Sequence, residues 1–159
     1  MSTRPPLRQA FGRYTTGVTI VTCRDSTGQP VGLTANSFAS VSLEPALVLW
    51  SLRLQSACRP AFEAQSHFAI NVLAEQHLEL SRHFASGASN RFDHGTWTDG
   101  LGGCPILAGS AAVFECKQHA RYVLGDHLLL VGEVLHWQEA ALPPLVYQGG
   151  HYRMLGEVM

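Results

Sequence analysis

The residues best suited to chemistry fall in one short stretch, Gly32-Leu33-Thr34-Ala35-Asn36-Ser37-Phe38-Ala39-Ser40-Val41-Ser42, where small and hydroxylic side chains surround a single amide. Side chains this small let a flat ring lie against the main chain. Backbone N–H groups, the Thr34 hydroxyl and the Asn36 amide can then bond its polar edge. Ser51-Leu52 and Ser56-Ala57-Cys58 follow, with Arg59 beside them. A serine at a helix start sits among unpaired amides at the positive end of a dipole, which suits an anion.

A ring at one end and a phosphate at the other outline a flavin mononucleotide. The same serines equally suit an ordinary strand end and an ordinary helix cap. A second constellation is Gly125-Asp126-His127. A histidine entering a strand there can stack on a ring or bond a carboxamide, while the tripeptide also reads as a plain hairpin turn.

The surrounding chain narrows the field. Its 159 residues suit one domain, 1–159, with a core over about 8–156; 46% are hydrophobic, 14% charged, and the net charge is −1. Neither sign is clustered, which argues against nucleic acid and anionic membranes as partners. The start, Met1-Ser2-Thr3-Arg4-Pro5-Pro6, carries no apolar signal core, and the longest apolar runs are too short to span a bilayer, so a cytoplasmic location is expected. Cys23, Cys58, Cys104 and Cys116 are widely spaced and read as free thiols. No G-x-G-x-x-G fingerprint follows a strand, and there is no phosphate loop, H-E-x-x-H or G-x-S-x-G. No metal site is expected, and any dinucleotide must be held outside a doubly wound fold.

The elements that position these residues are mostly strands. Gly17–Cys23 is rich in β-branched residues; Asp25–Gly28 is a turn, and Pro30–Asn36 returns as a hairpin arm. Ala46–Leu52 is apolar throughout, as a buried barrel strand is. His67–Leu73, Ala111–Val123 and His127–Trp137 add strands, and Tyr147–Leu155 closes the chain. Helices are predicted over Leu7–Tyr14 with Phe11 inward, Ser56–Ala64, and Glu75–Ala85 with Leu80 and Phe84 on one stripe. Glycines make Thr98–Gly103 a loop. The fold class is therefore mainly β with helical insertions, an antiparallel barrel rather than a doubly wound sheet.

Several motifs in order resemble the flavin reductase-like family. Phe11-Gly12 with Tyr14–Thr22 is similar to its opening motif. Thr34–Phe38, Val41–Pro45, Phe68–Leu73, Arg91-Phe92, Gly125–His127 and Gly150–Arg153 follow in register, from about Phe11 to Leu155. The resemblance implies a Greek-key split β-barrel and a homodimer, with FMN or FAD in a groove near the dimer interface. It implies an NAD(P)H:flavin oxidoreductase that takes hydride from NADH or NADPH and hands reduced flavin to a separate monooxygenase. A tightly FMN-bound flavoredoxin-like electron carrier and a non-catalytic flavin-binding module are the alternatives on the same barrel.

By this resemblance Thr34, Ala35, Asn36 and Ser37 line the isoalloxazine ring, with Asn36 its most direct polar contact. Ser51, Leu52, Ser56, Ala57 and Cys58 follow the ribityl chain and phosphate. Cys58 stands where many relatives have threonine, and a thiol is the weaker hydrogen-bond partner. His127 contacts the nicotinamide, Tyr152 covers the same groove, and Phe84 belongs to the cofactor site. Arg91 and Phe92 meet an adenine or phosphate from the partner subunit. No catalytic acid or base is implied, since hydride passes directly between the two cofactors.

Overall fold

The computed structural model describes residues 6–159. The chain opens with α1 (Leu7–Phe11) and β1 (Thr16–Gly17), then β2 (Thr19–Arg24), β3 (Pro30–Ala35), β4 (Ala39–Leu43) and β5 (Ala46–Arg53). Helix α2 (Arg59–Ala64), β6 (His67–Val72), a 3-10 turn (Glu75–His77) and α3 (Leu78–Ala85) follow. The rest comprises β7 (Trp97–Asp99), β8 (Pro105–Leu107), the long strands β9 (Ala112–Leu124) and β10 (His127–Glu139), and the hairpin of β11 (Val146–Gln148) and β12 (His151–Arg153).

Seven strands form one antiparallel sheet in the order β3-β2-β6-β9-β10-β5-β4. The connection from β5 to β6 crosses, through α2, the places that the β9–β10 hairpin fills later, which is Greek-key topology. The sheet ends are β3 and β4, adjacent in the chain but not paired, and the split of the barrel lies between them. β1, β11 and β12 make a separate three-stranded sheet, and β7 pairs with β8. No described helix is long and apolar enough to cross a membrane.

Two cores fill the molecule. Trp50 is fully buried with Phe62 of α2 edge-on at 4.9 Å and Phe68 at 6.0 Å, so α2 plugs one end of the barrel. Each such side chain withdrawn from water contributes about 1.5–3 kcal/mol. The second core joins Val18, Ile20, Leu73 and Phe84 to Phe92 and Trp97 beneath α3. Buried Asn71 ties three strands: its Nδ2 donates to the Ile20 carbonyl at 3.0 Å, and its Oδ1 accepts from Leu107 N at 2.9 Å. A buried amide satisfied on both sides fixes strand register as well as stability.

Some expectations are corrected. Phe11 is 69% exposed, not inward, because α1 is a single short turn with no buried residue. The predicted strand 17–23 breaks at Val18, whose carbonyl accepts from Leu73 N while the chain passes from the small sheet to the large one. The stretch 98–103 is not all loop: β7 takes in Thr98 and Asp99, and Leu101–Gly103 is a 3-10 turn. Helix α2 begins at Arg59 with Cys58 at its cap, so Ser56 is not the cap residue. The Ser56 hydroxyl accepts instead from Cys58 N at 3.2 Å, a local turn before the helix.

Candidate functional site

The end of β3 and the end of β5, past the point where β4 stops pairing with it, face one another near the split. Between them opens a groove of about 310 Å³ lined by Thr34, Ala35, Asn36, Ser37, Ser51, Leu52, Arg53, Ser56 and His127, with Leu33. Residues scattered from 34 to 127 are thus brought to one place. The cross-strand register explains the arrival of His127, which pairs opposite Arg53, with Leu129 opposite Ser51. Leu54 N also bonds the Asp126 carbonyl at 3.0 Å, fastening the β9–β10 turn to the end of β5.

Polar groups in the groove divide into engaged and free. Thr34 Oγ1 donates to the Ser81 carbonyl at 2.7 Å, so its proton is committed to α3 and only its lone pairs face a ligand. Ser37 Oγ accepts from Ser51 N at 2.9 Å and donates to the Ser51 carbonyl at 3.1 Å, so it clips the groove together. Asn36 is exposed, makes no side-chain hydrogen bond among the described residues, and remains the free amide of the segment. His127 Nδ1 bonds Asp126 Oδ1 at 2.7 Å, which leaves Nε2 for a ligand. That bond and the histidine's charge hold the Asp126 carboxyl below the usual carboxylate range.

Thr34, Ala35 and Asn36 also line a second hollow, of about 190 Å³, on the side of Tyr147 and Tyr152. Tyr152 stands at this hollow rather than over His127. Ala35 carries only a methyl where the two hollows meet, which leaves the main chain accessible from both.

Other expected contacts lie elsewhere. Phe84 is 1% exposed and packs on Phe92 and Trp97, so its ring belongs to the core and not to a ligand contact. Phe92 is spent in the same cluster, at 5.0 Å from Phe84 and 4.9 Å from Trp97. Leu52 borders the groove with its side chain 1% exposed, turned into the barrel. Ala57 is exposed and Cys58 half-buried, and neither lines the groove. Arg91 bonds within its own chain: Nη1 donates to the Gly32 carbonyl at 2.8 Å and lies 3.9 Å from Cys58 Sγ, and Nη2 donates to the Ser86 carbonyl. Its buried Nε has no partner, and no carboxylate pairs with it among the described residues. Sequence reasoning missed Arg53, because an arginine at a strand end reads as solvated until pairing places it opposite His127.

The comparisons agree with this architecture. The family profile of the flavin reductase like domain matches residues 11–156. The chain belongs to that family. It is 44% identical over 145 residues to an FMN reductase (NADH), SmoA, of Agrobacterium fabrum, covering 91% of this chain and 82% of that protein. It is 44% identical over 147 residues to the reductase component of a flavin-dependent trigonelline monooxygenase of Acinetobacter baylyi, covering 92% of this chain and 47% of that protein. Two Rhizobium meliloti relatives are likewise longer, the chain spanning 64% and 47% of their lengths. Among solved structures, the NADH:FAD oxidoreductase SgcE6 of Streptomyces globisporus, in complex with NAD and FAD fragments, superposes with a TM-score of 0.90 at 38% identity, covering 94% of this chain and 91% of that one.

Proposed function

We propose that this chain is an NAD(P)H:flavin oxidoreductase that binds FMN or FAD on the Thr34–Ser37 segment and passes the reduced flavin to a separate monooxygenase. The observation that carries the reading is the groove itself. Small side chains bare the main chain at Ala35, a free amide stands at Asn36, and an imidazole with one free nitrogen faces them from β10. When bound, the nicotinamide supplies a hydride and the flavin accepts it at N5.

The protein's part is placement. The main chain at 34–36 supports one face of a planar ring, Asn36 bonds its polar edge, and His127 holds the second ring or its carboxamide in range. Asp126 fixes the imidazole by occupying Nδ1. Arg91, a half-buried cation with no carboxylate partner among the described residues, supports a phosphate at the Ser56–Cys58 end, where its Nη1 lies 3.9 Å from Cys58 Sγ.

A second copy of the chain completes the reading. Val41 and Leu43 on the edge strand β4 and Tyr122, Val123, Leu124 and Trp137 on the β9–β10 hairpin are all at least half exposed. So much apolar surface on one sheet supports a homodimer. The monooxygenase partner follows from the trigonelline relative, whose name describes a reductase component.

The test is direct. Purified protein is mixed with NADH or NADPH and FMN or FAD, and loss of nicotinamide absorbance is followed. Flavin-dependent oxidation is expected; no flavin-dependent loss in any of the four combinations overturns the proposal.

A further inference from the structure

Fully buried Ser81, on α3, joins two walls that otherwise share no main-chain ladder. Its carbonyl accepts from Thr34 Oγ1 at 2.7 Å, and its hydroxyl shares a hydrogen bond with the Tyr152 phenol at 2.8 Å. Thr34 is the penultimate residue of β3 in the seven-stranded sheet, and Tyr152 lies on β12 in the three-stranded sheet. Both line the 190 Å³ hollow that continues the groove past Asn36. One residue of a helix therefore fixes the distance between the floor of this hollow and its outer wall.

The Tyr152 ring is otherwise held by packing on the second core and by contacts at its face and edge. Tyr147 meets it edge-on at 5.3 Å, and the Arg82 guanidinium lies 5.7 Å from its centroid. These contacts tolerate sliding, whereas the bond to Ser81 fixes where the phenol stops, because a hydrogen bond weakens steeply with misalignment. We infer that Ser81 is a positioning residue for the flavin: by pinning Tyr152 it sets an end stop beyond Thr34–Asn36 and keeps a planar isoalloxazine from slipping away from His127. This rests on the reading that flavin lies on the Thr34–Ser37 segment.

The predicted signature is a split in kinetic constants. Ser81→Ala and Tyr152→Phe each remove one partner of the same bond. Each should raise the FMN dissociation constant and FMN KM by about 2- to 10-fold, the range of one neutral hydrogen bond. The KM for the nicotinamide should stay within about twofold, below the effect of losing a hydrogen bond. Because the two substitutions break one interaction, the double variant should bind FMN no more weakly than the worse single one.

FMN binding is read by fluorescence quenching on the full chain, beside the thermal midpoint. Should Ser81→Ala not fold, Tyr152→Phe carries the test alone, since it keeps the ring and its packing. Wild-type affinity in both variants, additive losses in the double variant, or a lowered thermal midpoint with no change in FMN binding overturns the positioning role while flavin reduction stands. If the wild-type chain binds no flavin, the functional proposal falls and this inference with it.

Discussion

Ser37 and Ser51 form a two-way bridge: one hydroxyl accepts the Ser51 N–H at 2.9 Å and donates to the Ser51 carbonyl at 3.1 Å. β4 pairs with β5 only as far as Ala39 opposite Leu49, so the main chain of Ser51 lies two residues beyond the ladder. A side chain thus finishes what the strand leaves open. Ser37→Ala should cost about 1–3 kcal/mol, the range for leaving buried polar groups unmatched. The thermal midpoint and the FMN affinity are both expected to fall, and an unchanged midpoint would show that water replaces the hydroxyl without loss.

The glycine at position 32 answers to packing rather than to a turn. A Cβ there would stand 2.9 Å from the Phe92 ring and 3.0 Å from the Phe84 ring. Both rings are held by Trp97 and cannot swing aside. Gly32→Ala should therefore destabilise by about 1–3 kcal/mol through overpacking, measured by urea denaturation. Because the Gly32 carbonyl also anchors Arg91, FMN affinity should drop further than riboflavin affinity in this variant.

The Asp126–His127 pair predicts a nicotinamide phenotype. Asp126→Ala removes the partner of Nδ1 and frees the imidazole to rotate. The KM for NADH or NADPH should rise about 2- to 10-fold, as for one lost hydrogen bond, with FMN binding unchanged. The contact is secure in acid as well. The Asp126 carboxyl is held low, so it stays ionised below the usual carboxylate value near 3.9. Its contribution is present above that value and is lost only as pH falls through the lower folded-state value.

His77 gives a stability test unconnected with the groove. Burial holds its imidazole below the ordinary histidine value, opposed in part by a hydrogen bond to the Ala108 main chain, and Nδ1 accepts from Ala74 N at 3.2 Å. The unfolded chain takes up a proton near pH 6.5 while the folded chain does not until lower pH. Stability should accordingly decline as pH drops below about 6.5 and level off once the folded-state value is passed. His77→Asn, which keeps an acceptor but does not titrate, should flatten that part of the curve of thermal midpoint against pH.

Much of this site was legible because its signals are local. The small, hydroxylic run at 34–37, Ser51 and the turn before His127 each sit near a strand end, Ser56 follows in the turn before α2, and antiparallel pairing brings these together. What stayed hidden depends on pairs distant in sequence. Ser81 meets Tyr152 across 71 residues, and nothing in either segment announces the other. Phe84 and Phe92 share a helical or loop setting with ligand-stacking aromatics, and only packing distinguishes a core ring from an exposed one. Phe11 fails in the opposite sense: its spacing suits an inward face, but a helix of five residues has no core to face.

Ala35 tests the surface on which the rest depends. It is half-buried at the meeting of both hollows and also packs against the first core, so Ala35→Leu fills the space above the main chain and presses on that packing. FMN affinity should fall by about tenfold or more, equal to about 1.4 kcal/mol, with a modest drop in thermal midpoint from overpacking. Quenching titrations report the first and calorimetry the second.

A crystal structure of the chain with FMN measures the central claim most directly. The isoalloxazine should rest on the main chain of Thr34–Ser37, with Asn36 at its polar edge and His127 beside its open face. Ordered flavin bound anywhere else on the protein would contradict it.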